Sequence, residues 1–243
     1  MKHIISFSGG KDSALMTILL LEREKIDDIV FIDTGVEFPE TYKYIERFEK
    51  YIGRKITRIK SDRYTWDSLF FHKKTKGERI GQINSFPRIK GCNVNTYLKK
   101  DPIQKYCKTI KDDFIVYMGI AANEPKRYAR LKPNQRAPLY EWGITETDVL
   151  EELKKRDLHN PHYDIFTRQG CFMCPQIGIG GARKLYNHYP KLWKTLLWYG
   201  DQAELYAKDR RLAEWIPGWT VRELQQRFEK ENKKNSHLQS SSN

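Results

Sequence analysis

No uninterrupted apolar run in the 243 residues comes near the ~20 needed to cross a bilayer, which argues against a helical membrane span. Only four cysteines are present, and in a chain that reads as intracellular they need another explanation than secreted disulfides. The N-terminus enters an apolar strand at once, leaving no room for a signal peptide, so a cytoplasmic protein is expected. Neither a Walker A spacing nor a Gly-x-Gly-x-x-Gly fingerprint occurs, and no His-Glu-x-x-His or Ser-His-Asp arrangement can be read. Internal repeats are absent as well.

Positive charge is abundant. Forty-four Lys and Arg stand against 31 Asp and Glu, a net charge of +13. Such an excess favours a polyanionic partner, either a nucleic acid or simply an anionic nucleotide. A Lys-rich solvated surface accounts for the same count, and no nucleic-acid motif decides between them.

The chain is organised around Lys2 to Leu15. Ile4 to Phe7 has the length and composition of a buried strand, and Ala14 to Leu21 reads as a helix apolar on most faces. Between them lies Ser8-Gly9-Gly10-Lys11-Asp12-Ser13. Glycines let the backbone bend tightly, a helix N-terminus presents unpaired N–H groups, and Lys11 adds a point charge. Together they predict a phosphate cradle, against the plainer reading of a βα turn that contains two glycines.

Asp28 to Asp33 reads as a second buried strand, Pro39 as the first turn of a helix, and Tyr42, Ile45, Phe48 and Ile52 as its core face. Gly53 closes that helix, Lys55 to Ser61 gives a third strand, and Asp113 to Ile120 a fourth. Residues 63–111 read as irregular and basic. Alternating strands and helices predict an α/β fold with an open parallel sheet and helices on both faces. Ligands of such sheets bind beyond the carboxyl ends of the strands. The Ser8–Ser13 loop, the Asp33 turn and the Glu124–Arg127 segment should therefore meet at one cleft. Thr145-Glu146-Thr147-Asp148 and Thr220 to Glu223 look like capping boxes. The expected organisation is a nucleotide-binding domain over 1–150, a helical region with the Cys-x-x-Cys over 151–230, and a disordered tail over 231–243.

The loop resembles the Ser-Gly-Gly-x-Asp-Ser pyrophosphate loop of the N-type ATP pyrophosphatases, of adenine nucleotide alpha hydrolase-like, Rossmann-like fold. Asp33-Thr34-Gly35-Val36-Glu37-Phe38-Pro39-Glu40-Thr41 is similar to the second motif of the phosphoadenylylsulfate (PAPS) reductase family within that superfamily. Weaker likenesses are Cys92 to Pro102, the set Gly119, Ile120, Glu124 and Arg127, and the set Pro138, Leu139, Trp142, Asp148 and Val149. They carry the resemblance over about residues 1 to 180. The resemblance implies an adenine nucleotide (ATP, APS or PAPS) held by Ser8, Gly9, Gly10, Lys11, Asp12, Ser13, Asp33, Thr34, Gly35, Lys99, Gly119 and Arg127. Lys11 and Asp12 are its catalytic candidates, and Asp12 or Asp33 could hold Mg²⁺ arriving with ATP. One departure stands out: the thioredoxin-dependent reductases use a Cys in a C-terminal Glu-Cys-Gly-x-His segment, and no Cys follows Cys174 here.

Cys171-x-x-Cys174, followed by Pro175, is a chelating turn. With Cys92 and Cys107, 15 positions apart, it would make a four-thiolate site for zinc or an iron–sulfur cluster, His159 or His162 replacing one cysteine as an alternative. A redox pair or buried thiols remain the other readings. Family resemblance favours a [4Fe-4S] cluster over zinc. The leading expectation is a nucleotide-dependent enzyme of sulfur activation or transfer, with a nucleic acid as one candidate acceptor and a homodimer as a candidate assembly. The alternatives are a sulfonucleotide (APS/PAPS) reductase and a non-catalytic nucleotide- or nucleic-acid-binding protein with structural zinc.

Overall fold

A computed structural model describes residues 1–207 and 209–240, without the side chains of 235–240. The chain divides into two compact units, one made of residues 1–63 and 97–170, the other of 64–96 and 171–243. Sequence reading placed a boundary near residue 150. The units are instead discontinuous, because the second is built from an insertion after the third strand together with the C-terminal region.

The first unit holds five strands, β1 (Lys2–Phe7), β2 (Asp28–Ile32), β3 (Thr57–Ile59), β4 (Phe114–Met118) and β5 (Gln135–Arg136). All neighbours are parallel, in the order β3-β2-β1-β4-β5. The expected open parallel α/β sheet is what the chain forms. The third and fourth strands are shorter than their apolar runs suggested. Strand β5 contributes two residues and left no sequence signal.

Parallel strands need crossovers, and helices supply them. Helix α1 (Lys11–Leu21) follows β1, and Ala14, Leu15, Met16, Ile18 and Leu20 are buried, which explains its nearly all-round apolarity. Helix α2 (Pro39–Ile52) begins with its proline and ends at Gly53, as read. Ile45 and Phe48 are fully buried, Tyr42 and Ile52 partly so. Phe48 stacks on Phe7 with ring centres 4.9 Å apart. Helix α3 (Asp101–Thr109) leads into β4. Helix α4 (Glu146–Lys155) opens on the Thr145 capping box and adds Val149 and Leu153 to the same core as Ile5, Phe7, Ile29 and Phe31. Ile4, Val30 and Val116 are buried on the opposite sheet face, one residue out of phase.

The second unit is mainly helical. Helices α5 (Gly178–His188), α6 (Pro190–Tyr206) and α7 (Val221–Ser240) pack around Leu185, Trp193, Leu196, Trp215, Leu224 and Phe228. The Thr220–Glu223 capping box forms as expected, with the Glu223 carboxylate accepting from the Thr220 N–H at 2.9 Å. Helix α7 runs on to Ser240 through the stretch read as a disordered tail, because its Lys, Glu, Asn and Gln residues are compatible with helix once the N-terminal turns are anchored by packing. Residues 241–243 of that expectation lie outside the described residues. The basic stretch 64–96 is more ordered than its composition implied: it contains the helix Trp66–Phe70, with a Thr65–Ser68 capping box, and a short antiparallel pairing of Lys73 with Ile83. Among the described residues no helix is long and apolar enough to cross a membrane.

Candidate functional site

Chain order along the sheet reverses between β1 and β4: β2 and β3 build outward on one side of β1, β4 and β5 on the other. That switch leaves a crevice beyond the carboxyl ends of the two strands. The segments that follow them, Ser8 to Ser13 and Gly119 onward, occupy it.

The Ser8–Ser13 loop is tied to itself. The Ser13 hydroxyl lies 3.0 Å from that of Ser8, accepts from the Ser8 N–H and donates to the Gly10 carbonyl at 2.9 Å. Gly9 has a φ of +75°, and a Cβ there would come within 2.9 Å of the Thr41 side chain, so only glycine suits the turn. Gly119 is required for a different reason. A Cβ there would meet the backbone nitrogen of Ser13 at 2.7 Å, so the β4 turn and the first turn of α1 touch backbone to backbone.

A cavity of about 530 Å³ opens over this loop. Ser8, Gly10, Lys11, Asp12, Lys99, Gly119 and Arg127 line it, seven of the twelve residues expected to hold a nucleotide. Gly9, Ser13, Asp33, Thr34 and Gly35 are not in the lining. Gly9 and Ser13 shape the loop from behind. Asp33 is consumed in its own turn: its carboxylate accepts from the Tyr42 hydroxyl at 2.7 Å and the Gly35 N–H at 2.8 Å, and pairs with Lys60 at 3.2 Å. Burial raises its pKa, but those three partners outweigh it and hold the carboxyl below its ordinary range.

Lys11 is 5% exposed, an unusual position for an ammonium. It is held by charge. Its amino group lies 3.0 Å from Asp12 and 2.7 Å from Glu146. Burial works against the charge, yet the hydrogen bond to Glu146 and the pairing with Asp12 prevail and raise the Lys11 pKa. Burial pushes the Asp12 carboxyl up, Lys11 opposes this, and Glu146 and Glu124 add to the rise. The other cations follow the same pattern: Lys99 lies 3.3 Å from Glu37, and Arg127 lies 2.7 Å from Glu124. The cavity is thus lined by basic groups, each of these three facing a carboxylate.

Glu146, Tyr163, Thr167, Arg168, Gln169 and Gly170 also line the cavity and were not among the expected site residues. Tyr163 accepts from the Lys11 backbone N–H at 3.1 Å through its hydroxyl. Gln169 donates to Thr41, and Asn160 donates to the Gly9 carbonyl at 3.4 Å. His162, fully buried between Phe38 and Phe166, bonds the Arg168 carbonyl through Nε2 at 3.0 Å. Its position is that of a core histidine supporting the 163–170 segment, and His159 pairs with Asp164 at 2.7 Å. A clustering of Asn, His, Tyr and Gln over 160–169 was the one available signal for this segment.

The cysteines behave differently. None forms a disulfide and all four are half-buried. Cys171 and Cys174 form the expected turn, with the Cys174 N–H donating to the Cys171 carbonyl at 3.1 Å. The Cys92 sulfur accepts from the Asn95 N–H at 3.4 Å. Cys107 lies on α3 in the other unit, where burial pushes its thiol up, Lys132 opposing. Among the described residues no group of three or more His, Cys, Asp or Glu side chains is arranged to hold a metal ion. Cys92, Cys171 and Cys174 belong to one unit and Cys107 to the other.

Comparison with known proteins agrees with the architecture. The Phosphoadenosine phosphosulfate reductase domain model matches residues 2–177. An uncharacterised protein of Methanocaldococcus jannaschii is 30% identical over 226 residues, 88% of this chain and 44% of that protein. The adenosine 5'-phosphosulfate reductase of Staphylococcus saprophyticus is 26% identical over 211 residues, 79% of this chain and 78% of that one. The chain spans about half the length of the first relatives it matches. Among solved structures, the phosphate complex of phosphoadenylyl-sulfate reductase from Candida auris has the same fold, with a TM-score of 0.51 at 14% identity, over 71% of this chain and 82% of that one.

Proposed function

The chain belongs to the phosphoadenosine phosphosulfate reductase domain family, and from that premise we propose that it is an enzyme that binds an adenine nucleotide in the Ser8–Gly170 cavity and uses it in sulfur activation or transfer. One observation carries the reading. A lysine is buried at the N-terminus of α1, at the switch point of a parallel sheet, and aims its ammonium into a cavity. Helix N-termini and a buried ammonium favour phosphate, and an anion entering the cavity exchanges with the carboxylates that now hold the cations.

The residues then take roles by position. Ser8 and Ser13 fix the loop, Gly119 lets β4 and α1 approach, and Tyr163 fixes the backbone at Lys11. With ATP as substrate, an acceptor oxygen forms a bond to the α-phosphorus while the bond to pyrophosphate breaks. The negative charge that develops there falls beside Lys11, which stabilises it. Arg127 and Lys99 are placed for the outer phosphates or a sulfate. Mg²⁺ accompanying ATP would neutralise the pyrophosphate.

Titration calorimetry with ATP, APS and PAPS on the wild type and on Lys11→Ala tests the reading. Binding of at least one of the three, abolished in the variant at unchanged melting temperature, supports it; equal affinity in both proteins would sink it. Similarity to an adenosine 5'-phosphosulfate reductase favours sulfonucleotide reduction as the second reading. Sulfite release from APS or PAPS with a dithiol reductant, without pyrophosphate release from ATP, would select that reading.

A further inference from the structure

Charge is unevenly shared between the two units. Residues 64–96 and 171–243 contain 18 Lys and Arg against 9 Asp and Glu, so they carry nine of the thirteen net positive charges. Within them one antiparallel ribbon stands out. Ser85 N–H donates to the Phe70 carbonyl and Asn84 N–H to that of His72, both at 3.0 Å. Lys74 N–H reaches the Gln82 carbonyl at 2.9 Å, and Gly81 N–H the Lys74 carbonyl at 2.8 Å. These bonds close the ribbon around a tip that contains Lys76 and Arg79.

Cations gather where this ribbon meets its neighbours. Arg79 pairs with Asp209 at 2.9 Å. Arg88 is anchored by a 2.6 Å hydrogen bond to the backbone carbonyl of Arg211. Lys74 is half-buried, and its pKa is lowered first by burial and then by the charges of Arg79 and Arg88, with Asp209 opposing. Lys74, Arg79 and Arg88 therefore lie close enough for their charges to act on one another, Asp209 is paired with Arg79, and Arg211 adjoins the group through its backbone, its N–H donating to Asp209 at 2.9 Å. Like charges held this close repel one another, and a fold that keeps them together leaves an anion site unfilled.

We propose that this cluster binds the phosphodiester backbone of a nucleic acid. Two features favour that partner over an anionic membrane. A two-stranded ribbon has the width of a nucleic-acid groove, and arginines match phosphate geometry with two donors. Membrane binding draws instead on a contiguous apolar face, whereas the exposed large apolar side chains of the 64–96 segment, Ile80 and Ile89, stand in sequence among Lys76, Arg79, Arg88 and Lys90. The proposal stands apart from the nucleotide cavity, whose lining contains none of these residues.

Fluorescence anisotropy on the full chain tests it, using labelled duplex DNA, RNA of the same sequence, and phosphatidylcholine vesicles containing phosphatidylserine. The test variant, Lys74→Gln with Arg88→Gln and Arg211→Gln, removes three charges and keeps side-chain length. We expect DNA or RNA binding to weaken at least about tenfold at moderate salt, and the salt slope to fall by about three. A control that removes three exposed charges from the other unit, Lys43→Gln with Lys50→Gln and Lys154→Gln, should bind like the wild type. Should the triple variant fold poorly, Arg211→Gln alone removes an exposed side chain without an ion pair among the described residues, and should still lower the slope by about one. Equal losses in test variant and control would overturn the site, leaving net charge alone. Vesicle binding without nucleic-acid binding, or no binding of any probe, would overturn it as well. Relative affinities for DNA and RNA identify which backbone is recognised.

Discussion

The Lys11 ammonium lies 2.7 Å from the Glu146 carboxylate, across 135 positions of sequence. This contact joins the first turn of α1 to the first turn of α4, so under the proposed function Glu146 competes with a phosphate for Lys11. Glu146→Gln removes that competitor while Asp12 keeps Lys11 paired. Nucleotide affinity should rise about fivefold, the equivalent of about 1 kcal/mol for a half-exposed ion pair. Calorimetry of the variant beside the wild type measures it, and weaker binding would show that Glu146 assists the ligand instead of competing with it.

Backbone contact between Gly119 and Ser13 makes a second expectation. In Gly119→Ala the new methyl would meet peptide atoms at 2.7 and 2.9 Å, which have no side-chain freedom to yield. Stability should drop by about 1–3 kcal/mol, and nucleotide affinity should fall with the displaced helix start. Gly170 lines the same cavity but has nothing within 4 Å of its Cβ position. Gly170→Ala should melt like the wild type. Equal melting of both variants would mean that α1 adjusts freely.

His162 supplies a pH dependence. Burial lowers its pKa, although the Arg168 carbonyl opposes this. Below its unfolded value of about 6.5 the unfolded chain therefore takes up a proton that the native protein excludes. Stability contributed by this group is full above that value and is lost as the pH falls toward the folded pKa. The urea midpoint should decline between about pH 7.5 and about pH 5.5. In His162→Gln the decline should be shallower; an identical slope would assign the effect to other groups.

The segment over 163–170 makes a final prediction. Tyr163→Phe removes the hydroxyl that accepts from the Lys11 N–H and leaves that buried donor without its partner. Nucleotide binding should weaken by about 1–2 kcal/mol, with a smaller effect on melting. A melting change as large as the binding loss would make Tyr163 a packing residue only.

Much of the first unit follows from local pattern. Ile4 to Phe7, the two glycines and the apolar run after Asp12 suffice to specify strand, tight turn and helix, because each is fixed by contacts within a few residues. Pro39, Gly53 and the capping residues Thr145 and Asp148 acted the same way, since caps satisfy backbone groups of their own helix. Strand β5 escaped notice because two residues carry no period. Sequence spacing contains no information on which compact unit each thiol enters: Cys92, Cys171 and Cys174 fall in one and Cys107 in the other.

Sequence alone determined the tight glycine turn between the first strand and helix, the parallel sheet and the excess of positive charge, since these depend on residue type and short spacing. Tertiary structure decided that Asp33 is spent inside its own turn and that Glu146 and Tyr163 reach Lys11 from over a hundred positions away. Such pairings are set by how helices pack onto the sheet, where burial and charge balance over the whole unit select one arrangement.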